Sequence, residues 1–94
     1  MLCEDEVRSK LTGALSEWRV EDGQLRRDYR TKSYKATLLT ANAIGFLAEA
    51  ANHHPEMVLG YRELTISLVT HDAGGLTEKD LQLAGEIEVL VSKA

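Results

Sequence analysis

The chain has 94 residues, of which 44% are hydrophobic and 28% charged, and its formal net charge is −4 at pH 7. This length leaves room for a single domain, residues 1–94, and excludes multidomain architectures and large barrels. The apolar fraction is too high for an intrinsically disordered chain, and no run approaches the roughly 18–20 apolar residues that a membrane span needs.

The N-terminal third predicts a helix followed by a β-hairpin. Residues 4–15 are predicted to be a helix because apolar side chains recur on one helical face. These side chains are Val7, Leu11, Ala14 and Leu15. Trp18 and Val20 then alternate with charged residues, which is typical of a half-buried strand. Asp22-Gly23 predicts a type I′ turn, after which a strand returns over residues 24–31. One face of that strand is formed by Leu25, Arg27, Tyr29 and Thr31.

The middle of the chain predicts a long helix and a second hairpin. The helix runs from Tyr34 to Asn52, with Ser33 as its N-cap and Pro55 as its stop. Its apolar stripe comprises Leu39, Ala43, Phe46, Leu47, Ala50 and His54. Two apolar stretches follow, separated by Arg62-Glu63, and this spacing indicates antiparallel strands. On the second strand Leu64, Ile66 and Leu68 face one way, and Thr65, Ser67, Val69 and His71 face the other.

The C-terminal part predicts a turn and a last helix. Gly74-Gly75 marks the turn, and Thr77 with Asp80 forms a variant capping box at the helix start. The stripe of this helix comprises Leu81, Ala84, Ile87, Glu88 and Val91. The resulting order, α-β-β-α-β-β-α, predicts an α+β fold of two layers, with a four-stranded antiparallel sheet and helices packed on one face.

Charge and cysteine content limit which binding partners and which cellular compartment are expected. With 11 basic against 15 acidic residues, direct binding to nucleic acid is not expected. The single cysteine, Cys3, cannot form an intramolecular disulfide. The acidic N-terminus lacks the basic-then-apolar order of a secretory signal. A cytoplasmic protein without membrane association is therefore expected.

All three histidines fall within 19 positions, which makes them the main candidates for chemistry. His53 and His54 end the long helix and His71 ends a strand. An imidazole can act as acid or base near neutral pH. Glu49 lies four residues before His53, where its carboxylate would favour the imidazolium. Two alternatives stay open: a histidine pair stabilised by the helix dipole, and a three-histidine zinc site, although no HxxxH or CxxC spacing supports the latter.

The histidines belong to a wider pattern that resembles the signature of pterin-4a-carbinolamine dehydratases. That signature reads E-x3-H-H-P-x5-aromatic-x9-H with a downstream Asp. Its positions are filled here by Glu49, His53, His54, Pro55, Tyr61, His71 and Asp80. Residues 70–77, THDAGGLT, also look like the family segment T-H-x-x-G-G-L-[ST]. Weaker similarity extends upstream through Trp18, so the resemblance covers nearly the whole chain.

The resemblance implies a homodimer or homotetramer in which the sheet can continue across a dimer. It also implies dehydration of 4a-hydroxytetrahydrobiopterin to quinonoid dihydrobiopterin, which recycles the pterin cofactor of aromatic amino acid hydroxylases. No metal or organic cofactor is expected, because the pterin is the substrate. The implied catalytic residues are His53, His54 and His71. The implied substrate contacts are His53, His54, Pro55, Thr70, His71, Asp72 and Ala73, with Glu49, Tyr61 and Asp80 in support.

A second interpretation of the same fold is a non-catalytic binding module. Animal members of the family also serve as dimerisation partners of a homeodomain transcription factor. The acidity of the chain gives no positive sign of such a partner here. A third interpretation is that the fold serves only as a structural or assembly helper without pterin turnover. The intact histidine trio argues against this third interpretation, since an assembly role alone has no use for those imidazoles.

Overall fold

Three helices and four strands follow one another along residues 1–93, which are the residues that the computed structural model describes. The elements are α1 (Glu4–Ser9), β1 (Arg19–Glu21), β2 (Gln24–Arg30), α2 (Tyr34–Ala51), β3 (Glu56–Leu59), β4 (Glu63–Leu68) and α3 (Glu78–Ser92). Short 3₁₀ turns at Gly13–Leu15 and His71–Ala73 complete the order. The predicted sequence of elements and the α+β class are confirmed.

The four strands form one antiparallel sheet with the spatial order β1-β2-β4-β3. The turn between β1 and β2 has positive φ at both Asp22 (52°) and Gly23 (73°), as a type I′ turn requires. In the centre of the sheet Leu25 lies opposite Leu68, and Tyr29 lies opposite Leu64. The long pairing of β2 with β4 thus forms the middle of the sheet, and β1 and β3 are its edges.

One face of the sheet carries the helices and the core. From the sheet, Leu25, Tyr29, Leu64, Ile66 and Leu68 contribute to the buried cluster; from the helices, Val7, Ile44, Ala48, Leu81, Leu83, Ala84 and Ile87 do so. The opposite face is polar: Arg19 binds Asp28 at 3.1 Å, and Arg26 forms an ion pair with Glu21. This division confirms the two-layer arrangement.

The first helix is shorter than predicted. α1 ends at Ser9, and Gly13, with φ 58°, begins the separate 3₁₀ turn. Glycine adopts that conformation without a steric penalty, so the chain bends there although the apolar period continues. Val7 is buried in the core, whereas Leu11 and Leu15 are partly buried and pack against it.

The apolar stripe predicted for α2 exists, but most of it is exposed, although Leu47 packs against the core. Leu39 is 59% exposed and Phe46 is 78% exposed. The fully buried residues of the helix are instead Thr37, Ile44 and Ala48, of which Ile44 and Ala48 belong to the hydrophobic core. The helix therefore has two apolar faces, and periodicity could not tell which one is buried. No helix within residues 1–93 combines the length and hydrophobicity needed to cross a membrane.

The second hairpin turns one residue earlier than predicted. Gly60 N–H donates to the carbonyl of Glu63 at 2.8 Å, which leaves Tyr61 and Arg62 as the two turn residues. Tyr61, expected on the strand, therefore lies at the tip of the hairpin. There its ring stacks on that of Tyr34, with ring centroids 6.5 Å apart.

Candidate active site

The C-terminus of α2 directs the two adjacent histidines away from the helix. Asn52 adopts the left-handed conformation, with φ 51° and ψ 42°, which asparagine tolerates better than most residues. The N–H groups of Asn52 and His53 donate to the carbonyls of Glu49 and Ala48. The last helical turn is thereby closed before Pro55 is reached, and His53 begins the segment that leads to β3.

His53 is held by a fully buried carboxylate, that of Asp80. Its Nε2 lies 2.6 Å from Oδ1 of Asp80, a residue with 0% exposure in the first turn of α3. The other carboxylate oxygen, Oδ2, accepts from the Thr70 hydroxyl at 2.8 Å and from the Thr77 N–H at 2.9 Å. Asp80 of the predicted capping box therefore caps α3 and also holds the imidazole of His53.

This hydrogen bond sets which nitrogen of His53 can react. A carboxylate only accepts hydrogen bonds, so the proton of neutral His53 lies on Nε2 and the lone pair on Nδ1. An imidazole oriented in this way by a buried carboxylate can accept a proton, and the carboxylate then stabilises the imidazolium. The pair has the arrangement of a general base and its positioning residue.

Glu49 pairs with His54, not with His53 as the helical spacing suggested. Oε1 of Glu49 lies 2.7 Å from Nε2 of His54. The reason is the left-handed Asn52, which ends the helix before His53, so that the spacing of four residues no longer applies. Both partners are largely exposed, at 76% and 59% of their side chains, so their attraction is screened by solvent.

The three histidines line one cleft of about 220 Å³. His53 and His54 reach it from the end of α2, and His71 reaches it from the 3₁₀ turn after β4. Of the other predicted contacts, Thr70 and Asp72 also line this cleft. The hydroxyl of Thr70 already contacts Asp80 and Thr77, so its side chain supports the site from within.

Four other predicted residues lie elsewhere. Pro55 is absent from the walls of the cleft, and Ala73 lines a neighbouring cavity of about 480 Å³. Asp80 lies beneath the cleft, behind His53. Tyr61 stacks on Tyr34 at the N-terminus of α2, and the 18 residues of that helix place it about 27 Å from the histidine end.

Sequence reasoning missed three walls of the cleft: Asn52, Val69 and Lys79. Lys79 is the most informative, because it is a cation in the first turn of α3, where the helix dipole favours acidic residues. This unfavourable placement is the feature of the sequence from which Lys79 could have been identified as a candidate site residue. Within residues 1–93, Lys79 has no ion-pair partner, and no group of three or more His, Cys, Asp or Glu side chains is arranged to hold a metal ion.

Comparison with known proteins agrees with the resemblance. The profile of the family described as Pterin 4 alpha carbinolamine dehydratase matches residues 1–90. A relative from Aquifex aeolicus is 38% identical over 92 residues, which cover 98% of this chain and 92% of the relative. A relative from Natronomonas pharaonis is 42% identical over 89 residues, which cover 95% and 94%. Both are provisionally named pterin-4-alpha-carbinolamine dehydratases.

Two solved structures have a similar fold. A protein from Brucella melitensis, described as a transcriptional coactivator/pterin dehydratase, aligns with TM-score 0.80 and 26% identity over 94% of this chain and 95% of its own. A pterin dehydratase-like protein, described as a RuBisCO assembly factor of the alpha-carboxysome, aligns with TM-score 0.68 and 22% identity over 83% and 93%. The second likeness concerns the fold alone. On the profile and the relatives together, the chain belongs to the pterin 4 alpha carbinolamine dehydratase family.

Proposed function

We propose that this chain dehydrates a 4a-hydroxytetrahydropterin, such as 4a-hydroxytetrahydrobiopterin, to the quinonoid dihydropterin. The observation that carries the proposal is the single cleft lined by three imidazoles, one of which is held by a buried carboxylate. Recycling of the pterin cofactor of an aromatic amino acid hydroxylase is the metabolic role that fits this reaction.

The reaction needs one proton removed and one delivered. The C4a hydroxyl departs with an added proton as water, while N5 loses its proton and forms the C4a=N5 double bond. No electron is gained or lost, so two positioned proton transfers are sufficient, and each contributes about 10²–10⁴-fold to the rate. The proposal accordingly needs neither a metal nor an organic cofactor.

The hydrogen bonds of the cleft suggest how the roles divide. His53, with Nδ1 as its basic nitrogen, takes the N5 proton, and Asp80 stabilises the resulting imidazolium. His71, on the opposite element, delivers a proton to the departing hydroxyl. His54, whose Nε2 binds Glu49, holds the pterin ring. Asp72 and the backbone of Thr70 complete the contacts to the substrate, while the Thr70 hydroxyl stays bonded to Asp80.

The test is an assay of 4a-hydroxytetrahydrobiopterin dehydration by the purified protein before and after EDTA treatment. We expect activity in both samples, with kcat reduced about 10²-fold or more in His53→Ala and His71→Ala, and mainly a raised KM in His54→Ala. An inactive wild-type protein would overturn the proposal. Near-full kcat in His53→Ala or His71→Ala would remove that residue from the assignment, and loss of activity with EDTA would revive the zinc alternative.

We further propose that the chain forms a homo-oligomer. The outer stripe of α2, defined by Leu39, Ala43, Phe46 and Ala50, is apolar and exposed. Exposed apolar patches of this kind are typical of protein interfaces. With the stripe packed against a second copy, both apolar faces of α2 are buried, one in the core and the other in the interface between the two copies.

The alternative function is a binding module that acts as a coactivator on the same fold. What favours it is the coactivator named in the description of the Brucella melitensis structure, at 26% identity. A pull-down from the native host beside the dehydratase assay separates the two. An intact assay with no captured transcription factor supports the enzyme, and the reverse result supports the module.

A further inference from the structure

A groove of about 320 Å³ between α2 and α3 opens from the histidine cleft. His53 and Lys79 are walls of both the groove and the cleft, so one ligand can occupy both. A second cavity beside the cleft, of about 480 Å³, shares Thr70, Asp72 and Lys79 with the cleft but no histidine. The groove is therefore the extension of the cleft that begins at His53.

The two walls of the groove differ in chemistry. The α2 wall is apolar and includes Leu47 and Ala51, whereas α3 contributes Lys79, Gln82 and Glu86. These three polar residues are spaced by three and then four positions, which places them on one face of the helix. Within residues 1–93 the side chains of Gln82 and Glu86 form no hydrogen bond or ion pair. An amide and a carboxylate are thus free to bind a ligand in the groove.

The reaction proposed above, on which this inference rests, determines which part of a pterin reaches the groove. In that reaction His53 takes the proton of N5. N5 is bonded directly to C6, the ring atom that carries the substituent by which natural pterins differ. The substituent therefore begins beside His53, at a wall that the cleft shares with the groove. The pyrimidine ring lies at the opposite end of the bicycle.

We propose that the groove is the subsite for the C6 substituent, and that it selects a short, uncharged substituent with hydroxyl groups. The hydroxyls donate to the carboxylate of Glu86 and accept from the amide of Gln82, while the carbon chain lies against Leu47. A 1,2-dihydroxypropyl group, the substituent of biopterin, has two hydroxyls for the polar wall and a terminal methyl for the apolar wall. Gln82 and Glu86 are thus specificity-determining residues.

The charges of the groove disfavour an anionic substituent. Glu86 lies about 10 Å along the helix axis from Lys79, so the ammonium group at the entrance is remote from this carboxylate. A phosphate ester or a glutamate chain at C6 would bring a second negative charge beside Glu86, and like charges placed next to each other are unfavourable. A neutral polyol avoids this repulsion and uses both free side chains.

A comparison of two substrates tests the subsite. 4a-Hydroxytetrahydrobiopterin carries the dihydroxypropyl group, and 4a-hydroxy-6-methyltetrahydropterin has a methyl group in its place. We expect wild-type kcat/KM to be about thirtyfold higher for the biopterin form. Glu86→Ala should lower this ratio about tenfold and Gln82→Ala about threefold, because a hydrogen bond to a charged group discriminates more strongly than one between neutral groups.

The ratio of kcat/KM values does not depend on the amount of folded enzyme, so partial unfolding of a variant cannot imitate the expected result. The control is Glu17→Ala, which removes an exposed carboxylate outside the cleft and the groove and should keep the wild-type ratio. Equal kcat/KM values of the wild type for both substrates, or a wild-type ratio in Glu86→Ala, would overturn the proposal.

A binding measurement separates this inference from the dehydratase proposal. The oxidised pterins biopterin and 6-methylpterin are not dehydrated, and their fluorescence allows binding to be titrated. We expect the wild type to bind biopterin more tightly by a similar factor, and Glu86→Ala to lose most of this difference. An inactive wild-type protein that still prefers biopterin would overturn only the dehydratase proposal. Equal affinity for the two pterins, or binding of neither, would overturn the subsite.

Discussion

The imidazole of His53 and the carboxylate of Asp80 are 27 positions apart in sequence and 2.6 Å apart in space. Asp80 serves two purposes at once, since it also accepts the N–H of Thr77 at the start of α3. The orientation of His53 is therefore tied to the N-terminus of a helix that packs into the core. Helix α3 thus fixes the orientation of the imidazole ring, and with it the position of Nδ1, to which the proposed mechanism assigns the proton transfer.

Replacement of Asp80 by asparagine should separate the two purposes. Asn keeps the size of the side chain and can still accept the N–H of Thr77, but it can present an amide N–H₂ to Nε2 of His53. The imidazole then carries its proton on Nδ1, the nitrogen that must accept one. We expect kcat to fall about 10²-fold, with a smaller change in KM, in steady-state dehydration assays.

The control for this variant is Glu78→Gln, which removes an acidic charge from the same helical turn. Glu78 is exposed and its carboxylate pairs with Lys10, at 3.1 Å, away from His53, so kcat should stay at the wild-type value. Asp80→Ala should in addition lower the free energy of unfolding by about 1–3 kcal/mol, because buried donors lose their acceptor. Equal kcat values for Asp80→Asn and the wild type would contradict the proposed positioning.

Tyr29 predicts a dependence of stability on alkaline pH. Burial raises the pKa of its phenol, and the nearby negative charge of Glu88 raises it further. Its pKa in the unfolded chain is about 10, so the unfolded state loses this proton first as the pH rises. The contribution of Tyr29 to stability is therefore complete below pH 10 and decreases above it.

Tyr29→Phe tests this dependence. The Tyr29 hydroxyl is buried and has no hydrogen-bond partner within residues 1–93, so at pH 7 the variant should be as stable as the wild type or slightly more stable. Urea unfolding from pH 8 to 11 should show a shallower loss of stability in Tyr29→Phe. Parallel curves for the two proteins would show that the phenol titrates alike in both states.

The sequence predicted the strands and caps well because those signals are local. Asp22-Gly23 favours the observed type I′ turn whatever its surroundings, and the capping box formed by Thr77 and Asp80 spans only one helical turn. The partnership of His53 with Asp80 could not be predicted in this way, since it depends on how α2 packs against α3. The assignment of Glu49 to His53 was wrong for a local reason, namely that Asn52 takes the left-handed conformation and ends the helical spacing.

The exposed stripe of α2 leads to a prediction about assembly. Phe46→Glu places a charge at the centre of the stripe, where burial against a second copy would be costly. We expect the molar mass measured by light scattering after size-exclusion chromatography to fall relative to the wild type, with an unchanged far-UV spectrum. Val89→Glu makes the same kind of change at a side chain on α3 that is 53% exposed and outside the stripe, and should leave the mass unchanged.

Lys79 should contribute to substrate binding more than to the proton transfers. It lines the histidine cleft and also an adjoining groove of about 320 Å³ that shares His53 as a wall. Its ammonium group can donate to a carbonyl oxygen of the pterin without exchanging a proton with the reacting atoms. A neutral–charged hydrogen bond contributes about 1.5–3 kcal/mol, so Lys79→Met should raise KM at least about tenfold with kcat nearly unchanged. Lys32→Met, an exposed lysine ahead of α2, is the control and should keep both constants. A fall in kcat at constant KM for Lys79→Met would instead assign Lys79 to the chemical step.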